Sequence, residues 1–148
     1  MLRSVKEASE KGLPIYAECG GLIYLCKSIT FKDRTYPLAG VFPIELKMHS
    51  KPVGHGYTKL KVDLPNPYFE VGTIIKGHEF HYSGVTKEPP LKSCMAVQVG
   101  VGVYNKRDGI LHNRTLATYT HIHANGTKQW ASAIIANAID YRNTNRCE

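Results

Sequence analysis

Apolar and polar residues alternate at period two over several stretches of this chain, and that alternation predicts its β-strands. Phe42, Ile44, Leu46 and Met48 alternate with Pro43, Glu45, Lys47 and His49, the pattern of a half-buried strand. Leu60, Val62 and Leu64 alternate in the same way with Lys59, Lys61 and Asp63. Pro65-Asn66-Pro67 ends that strand, because proline cannot donate to a ladder. Thr73 to Ser83 predicts a further strand, with His78, Phe80 and Tyr82 on one face and Glu79, His81 and Ser83 on the other. Glu88-Pro89-Pro90 reads as a loop. Met95, Val97, Val99, Val101 and Val103 then follow at period two, with Gly100 and Gly102 suggesting a bend or bulge. Leu116 to His123 predicts the last strand, turned by Asn125-Gly126.

The helical periods lie at the two ends. Met1 to Lys11 reads as an amphipathic helix stopped by Gly12. Leu13 to Ala17 is a short apolar run suited to a buried strand, and Leu22, Ile23 and Leu25 begin a helix that fades near Ser28. Lys128 to Tyr141 predicts a closing helix with Thr127 as its N-cap. Trp130, Ala131, Ile134, Ile135, Ala138 and Ile139 form its apolar stripe. The pattern is one α/β domain over residues 1–142, followed by a polar tail over 143–148.

Composition narrows the function classes. A chain of 148 residues with 43% hydrophobic and 21% charged residues suits one soluble domain. Nineteen Lys and Arg against twelve Asp and Glu give a net charge of +7. These cations are dispersed, without a run or helical stripe, and no nucleic-acid-binding motif occurs, so nucleic acid is not expected as a partner. An anionic substrate or an acidic partner surface suits the charge equally well. Cys19, Cys26, Cys94 and Cys147 form no C-x-x-C pair, the N-terminus lacks a signal-peptide core, and no segment approaches a membrane span. Free thiols in a cytoplasmic protein away from membranes are the expectation.

The candidate chemistry sits where the first short strand meets its helix. Glu18-Cys19-Gly20-Gly21 allows only a sharp strand-to-helix turn, the layout of a nucleophile elbow with cysteine as its reactive residue. The helix end there would favour thiolate, and the Gly20 amide could stabilise an oxyanion. The competing reading is a buried structural cysteine beside a tight loop. Glu18 would raise the thiol pKa if it faced the sulfur, so it is expected to turn away or bond backbone. Among the histidines, His49, His55 and His112 read as surface or structural groups and His78 as a locally packed one. His121 and His123 compete as the base. His121-x-His123 and His78-x-x-His81 also admit a metal reading, but no adjoining carboxylate motif supports it and no metal is expected.

Three strings add a resemblance. Pro14 to Leu25 (PIYAECGGLIYL), Gly77 to Ser83 (GHEFHYS) and Ala117 to His123 (ATYTHIH) resemble, in order, hallmarks of the CobB/CobQ-type class I glutamine amidotransferases. The nucleophile string closely resembles that of the glutaminase domain in the cobyrinic acid a,c-diamide synthases. The resemblance implies an α/β fold, a flavodoxin-like three-layer amidotransferase domain lacking its N-terminal strands. It implies Cys19 as nucleophile and His121 as base. Many class I members keep a glutamate where this chain has His123; that departure is similar to what this subfamily shows, which implies that cysteine and histidine alone can suffice. Glu79, His81 and His123 stand as orienting or substrate-binding groups, with a strand- or loop-fixing role for Glu79 at least as open. It implies glutamine as substrate, a synthetase domain or subunit carrying ATP and Mg²⁺, and no cofactor on this chain. The acceptor would be a tetrapyrrole polycarboxylate, cobyrinic acid or nickel-sirohydrochlorin. The family's upstream glycine-rich oxyanion loop has no match here, which predicts a slower reaction, and the missing first strands predict an exposed sheet edge. It also leaves an alternative, a non-catalytic docking or regulatory subunit on the same fold.

Overall fold

A seven-stranded sheet runs through the chain and collects segments from both ends of the sequence. The computed structural model describes residues 1–88 and 91–145. Helix α1 (Leu2–Glu10) leads into β1 (Ile15–Glu18) and α2 (Gly20–Leu25). The strands β2 (Ser28–Phe31), β3 (Arg34–Pro37), β4 (Glu45–Met48), β5 (Gly54–Val62), β6 (Ile74–His81) and β7 (Ser83–Val85) follow. After them come β8 (Ser93–Val99), β9 (Arg107–His112), β10 (Thr115–Thr118), β11 (His121–Ile122) and α3 (Gln129–Thr144). The large sheet has the order β1-β10-β9-β8-β5-β6-β11, and a four-stranded sheet has the order β3-β2-β4-β7.

Alternation sorts the core onto two faces. Ile15 and Ala17 of β1 and Ala117 of β10 join Leu22, Leu25, Phe42, Ile44 and Leu46 on the side of α2 and the smaller sheet. Tyr16 and Leu116 point the other way, to Leu60, Val62, Ile75 and Met95 and to Trp130, Ala133 and Ile134 of α3. The helices therefore lie on both faces of a mixed sheet in which β1 and β10 run parallel.

Several expected elements shift. The first strand begins at Ile15 rather than Leu13, and the elbow helix ends at Leu25, so Ser28 opens β2. The β2–β3 hairpin turns on Lys32 and Asp33, both at positive φ, without the Asn-Gly signal that would have revealed it. Phe42 and Ile44 are buried ahead of β4 rather than in it, and Leu64 falls beyond the end of β5. The Thr73–Ser83 run breaks at Tyr82, where the chain leaves the large sheet and continues as β7 in the smaller one. Strand β8 stops at Val99, so Val101 and Val103 lie in the loop that Gly100 and Gly102 turn at positive φ. The expected Leu116–His123 strand breaks at Tyr119-Thr120, and its halves pair with different neighbours, β1 and β6. In α3 only part of the expected stripe meets the core: Ile135 and Ile139 stay exposed. Its N-cap position is Lys128, and the buried Thr127 hydroxyl has no partner among the described residues. The helix continues through Asn143 and Thr144 of the expected tail. Pro89, Pro90 and Cys147 lie outside the described residues.

Candidate active site

The elbow forms because β1 is pinned on one side while α2 must start at once. Cys19 donates its amide to the Thr118 carbonyl at 2.8 Å, which fixes the last register point of the parallel β1–β10 pair. At Cys19 the backbone has φ 45° and ψ −99°, a strained conformation for a residue with a side chain. Gly21 lets the helix close down on the strand, since a Cβ there would sit 3.1 Å from the Ala17 Cβ. Cys19 is half-buried, and its S–H points at the Phe80 carbonyl of β6 across 3.7 Å.

The helix end was expected to favour thiolate; burial of the sulfur acts in the opposite direction. Burial pushes the Cys19 pKa up; the Gly20 amide opposes this, and the neighbouring Glu18 charge adds to it.

His121 is brought to the same part of β6. It is the first residue of β11 and pairs in register with His78, whose ring stacks on it with centroids 5.0 Å apart and planes 20° apart. His78 and Phe80 are two residues apart on one strand, about 7 Å along it, so the sulfur and the imidazole address neighbouring positions of a single strand. Gly77 makes this pairing feasible. A Cβ at position 77 would overlap the His121 carbonyl oxygen and lie 2.7 Å from the Thr120 methyl.

The break before β11 is tied by Asp108, a fully buried carboxylate. It accepts from the Gly109 and Tyr119 amides at 2.8 and 3.1 Å, and from the Thr118 hydroxyl at 2.8 Å. The Thr120 amide and hydroxyl complete the set at 3.3 and 3.2 Å. Burial pushes its carboxyl pKa up, opposed first by the Thr118 bond and then by the amides. These bonds bend the chain from β10, beside β1, to β11, beside β6.

Glu79 and His81 occupy the opposite face of β6 from His78, as the alternation predicts. There Glu79 accepts the Val101 and Gly102 amides at 2.6 and 3.1 Å and stands 3.4 Å from His81 Nε2. His81 donates through Nδ1 to the Ser83 carbonyl at 2.9 Å and stacks on Tyr119 at 3.6 Å. Ser83 and Tyr119 share a hydroxyl hydrogen bond of 2.8 Å. Burial works to raise the Glu79 pKa, but the bonds from His81, Gly102 and Val101 outweigh it and hold the carboxyl below its usual range. Glu79 thus fixes the loop after β8 and braces Tyr119. Its carboxylate does not meet His121.

The carboxylate that does meet His121 is Glu18, with Oε2 3.6 Å from Nδ1. It bonds backbone, as expected, through the Ile122 amide at 3.3 Å, yet it also turns to the imidazole, which the sequence did not suggest. His123 is exposed past the end of β11, and its Nδ1 accepts the Asn125 amide at 3.3 Å. It borders a recess of about 310 Å³ with Glu18, Ile122, Ala124 and Trp130. Among the described residues no three His, Cys, Asp or Glu side chains are grouped to hold a metal ion.

Comparison with known proteins adds independent findings. Residues 1–129 match the model of the CobB/CobQ-like glutamine amidotransferase domain. A cobyrinate a,c-diamide synthase of Magnetococcus marinus is 42% identical over 131 residues, covering 88% of this chain and 28% of that protein. One from Methanosphaera stadtmanae is 43% identical over 125 residues, covering 83% and 27%. The chain thus spans little more than a quarter of the length of these relatives. A solved glutamine amidotransferase superposes with a TM-score of 0.64 at 15% identity, over 93% of this chain and 67% of that one. Another, from Thermotoga maritima, gives 0.54 at 13% identity, over 95% and 55%. Those likenesses establish the fold, a mixed α/β sheet of the class I amidotransferase type. With the family model matched across the elbow, the β6 strand and the β10–β11 bend alike, this chain belongs to the CobB/CobQ-like glutamine amidotransferases.

Proposed function

We propose that the chain is the glutaminase part of an ATP-dependent amide synthase, with Cys19 as nucleophile and His121 as base. The observation that carries this reading is the convergence of a strained cysteine and an imidazole on positions 80 and 78 of one strand. His121 takes the Cys19 proton as sulfur attacks the side-chain amide carbon of glutamine, and the Gly20 amide receives the developing oxyanion. The carbon–nitrogen bond then breaks, and His121 returns the proton to the departing nitrogen as ammonia. Water, deprotonated by His121, cleaves the resulting thioester to glutamate and restores the thiol. Burial pushes the thiol pKa up, which supports a role for a base beside the sulfur.

Ammonia would be used by a synthetase domain or subunit bearing ATP and Mg²⁺. In this reading ATP and Mg²⁺ belong to that synthetase, and this chain supplies only the ammonia. The acceptor carboxylates are proposed to be the a and c side chains of cobyrinic acid, the substrate named for the relatives, or those of nickel-sirohydrochlorin. A cytoplasmic location goes with that route. Glutamate release from glutamine, measured for wild type and Cys19→Ala, tests the reading. Loss of at least about a thousandfold is expected; equal rates would instead favour a non-catalytic docking subunit.

A further inference from the structure

We infer that Glu18, the residue immediately before the nucleophile, is the carboxylate that orients and polarises His121, in the absence of a glutamate at position 123. The inference rests on the glutaminase reading for its role in turnover, but its structural core stands on the contacts themselves. Oε1 of Glu18 accepts two donors, the Tyr16 hydroxyl at 3.1 Å and the Ile122 amide at 3.3 Å. With that oxygen fixed, Oε2 faces His121 Nδ1 at 3.6 Å. The Glu18 side chain is 22% exposed and the His121 side chain 35%, so both are partly shielded from solvent and the charge stands at short range from the ring.

Tyr16 strengthens the assignment. Burial and then the Glu18 charge push its phenol pKa far up, so it remains a donor and holds the carboxylate in place. Its ring is wedged against Tyr68, Phe69 and Trp130 at centroid distances of 5.5, 6.3 and 5.8 Å. Ile122 belongs to the same short strand as His121, so one carboxylate grips both the backbone and the ring of β11. His123 cannot take this part, because it is exposed and its Nδ1 already accepts the Asn125 amide. Glu79 cannot either, being on the far face of β6.

The chemical consequence concerns the tautomer. A carboxylate opposite Nδ1 keeps the proton of the neutral ring there and leaves Nε2 with a lone pair for the Cys19 proton. When Nε2 takes that proton, the adjacent negative charge offsets the new positive one. Glu18 is therefore a positioning residue, acting on the thiol through His121.

Glu18→Gln is the sharpest test, since the amide oxygen can still accept from Tyr16 and Ile122 while its NH₂ faces Nδ1. The expected result is a switch of neutral His121 from the Nδ1–H to the Nε2–H form, read by ¹H–¹⁵N NMR on the chain itself. A fall in kcat of about a hundredfold or more, with KM for glutamine held within about twofold, should accompany it. An unchanged tautomer with the folded spectrum intact, or an unchanged kcat, overturns the proposal. If the variant unfolds, wild-type His121 alone decides it: an Nε2–H ring in the wild type refutes it and an Nδ1–H ring supports it. The NMR readout needs no turnover. An inactive wild type would thus count against the glutaminase reading and leave the Glu18 contact to stand or fall by the tautomer.

Discussion

Cys19 combines a positive φ with a raised thiol pKa, two features with different origins and separable consequences. The strain comes from forcing strand and helix to meet at one residue; the raised pKa comes from burying the sulfur. Cys19 should therefore alkylate slowly with iodoacetamide at neutral pH, and its rate should climb as pH rises through and beyond the ordinary thiol range. Cys26 and Cys94 are fully buried, with burial pushing each to about 12, and should not react in the folded protein. Peptide mapping after timed labelling checks both statements; fast labelling of Cys19 at neutral pH would contradict the first. Gly77 makes a second residue-scale prediction. Gly77→Ala drives a methyl into the His121 carbonyl and should cost about 1–3 kcal/mol by urea denaturation, with a disproportionate loss of glutaminase activity.

At the scale of elements, the site depends on two breaks in strands that read as continuous. The elbow was legible because Cys-Gly-Gly after an apolar run leaves few conformations, and the faces of β6 were legible because alternation is a local property. The meeting of Glu18 with His121 was not legible. It requires a bend at Tyr119-Thr120 set by Asp108, and nothing in the local pattern of either strand encodes a partner over a hundred residues away. The role of Glu79 was open for the same reason, since its donors Val101 and Gly102 come from the loop after β8. Because Glu79 is held below the usual carboxylate range, its stabilisation is full above the unfolded value of about 4.3 and is lost as pH falls through the lower folded value. The stability gap between wild type and Glu79→Gln should thus be large near about pH 7 and shrink below about pH 4. Urea midpoints at the two pH values check this, and a gap that grows on acidification would refute it. On the open face of the β5–β6 pair, Lys59 stands directly opposite Lys76 with no ion-pair partner for either among the described residues. Lys76→Glu should stabilise the protein by roughly 0.5 kcal/mol, an effect that fades with added salt.

For the whole molecule, the large sheet gathers the nucleophile from one end of the chain and the base from the other, while the middle supplies β6, against which both are read. Among the described residues β1 pairs with β10 alone and stands at one end of the large sheet, with β11 at the other. The chain matches about 28% of the length of a cobyrinate a,c-diamide synthase, which goes with the proposal that acceptor activation belongs to other residues and ammonia formation to these. That task has a direct chemical signature. Acid quenching of the chain during incubation with glutamine, followed by peptide mass spectrometry, should recover a γ-glutamyl thioester on Cys19 in the wild type and none in Cys19→Ala or His121→Ala. A glutamyl adduct that forms as readily without His121, or one that is carried by a residue other than Cys19, would contradict the account.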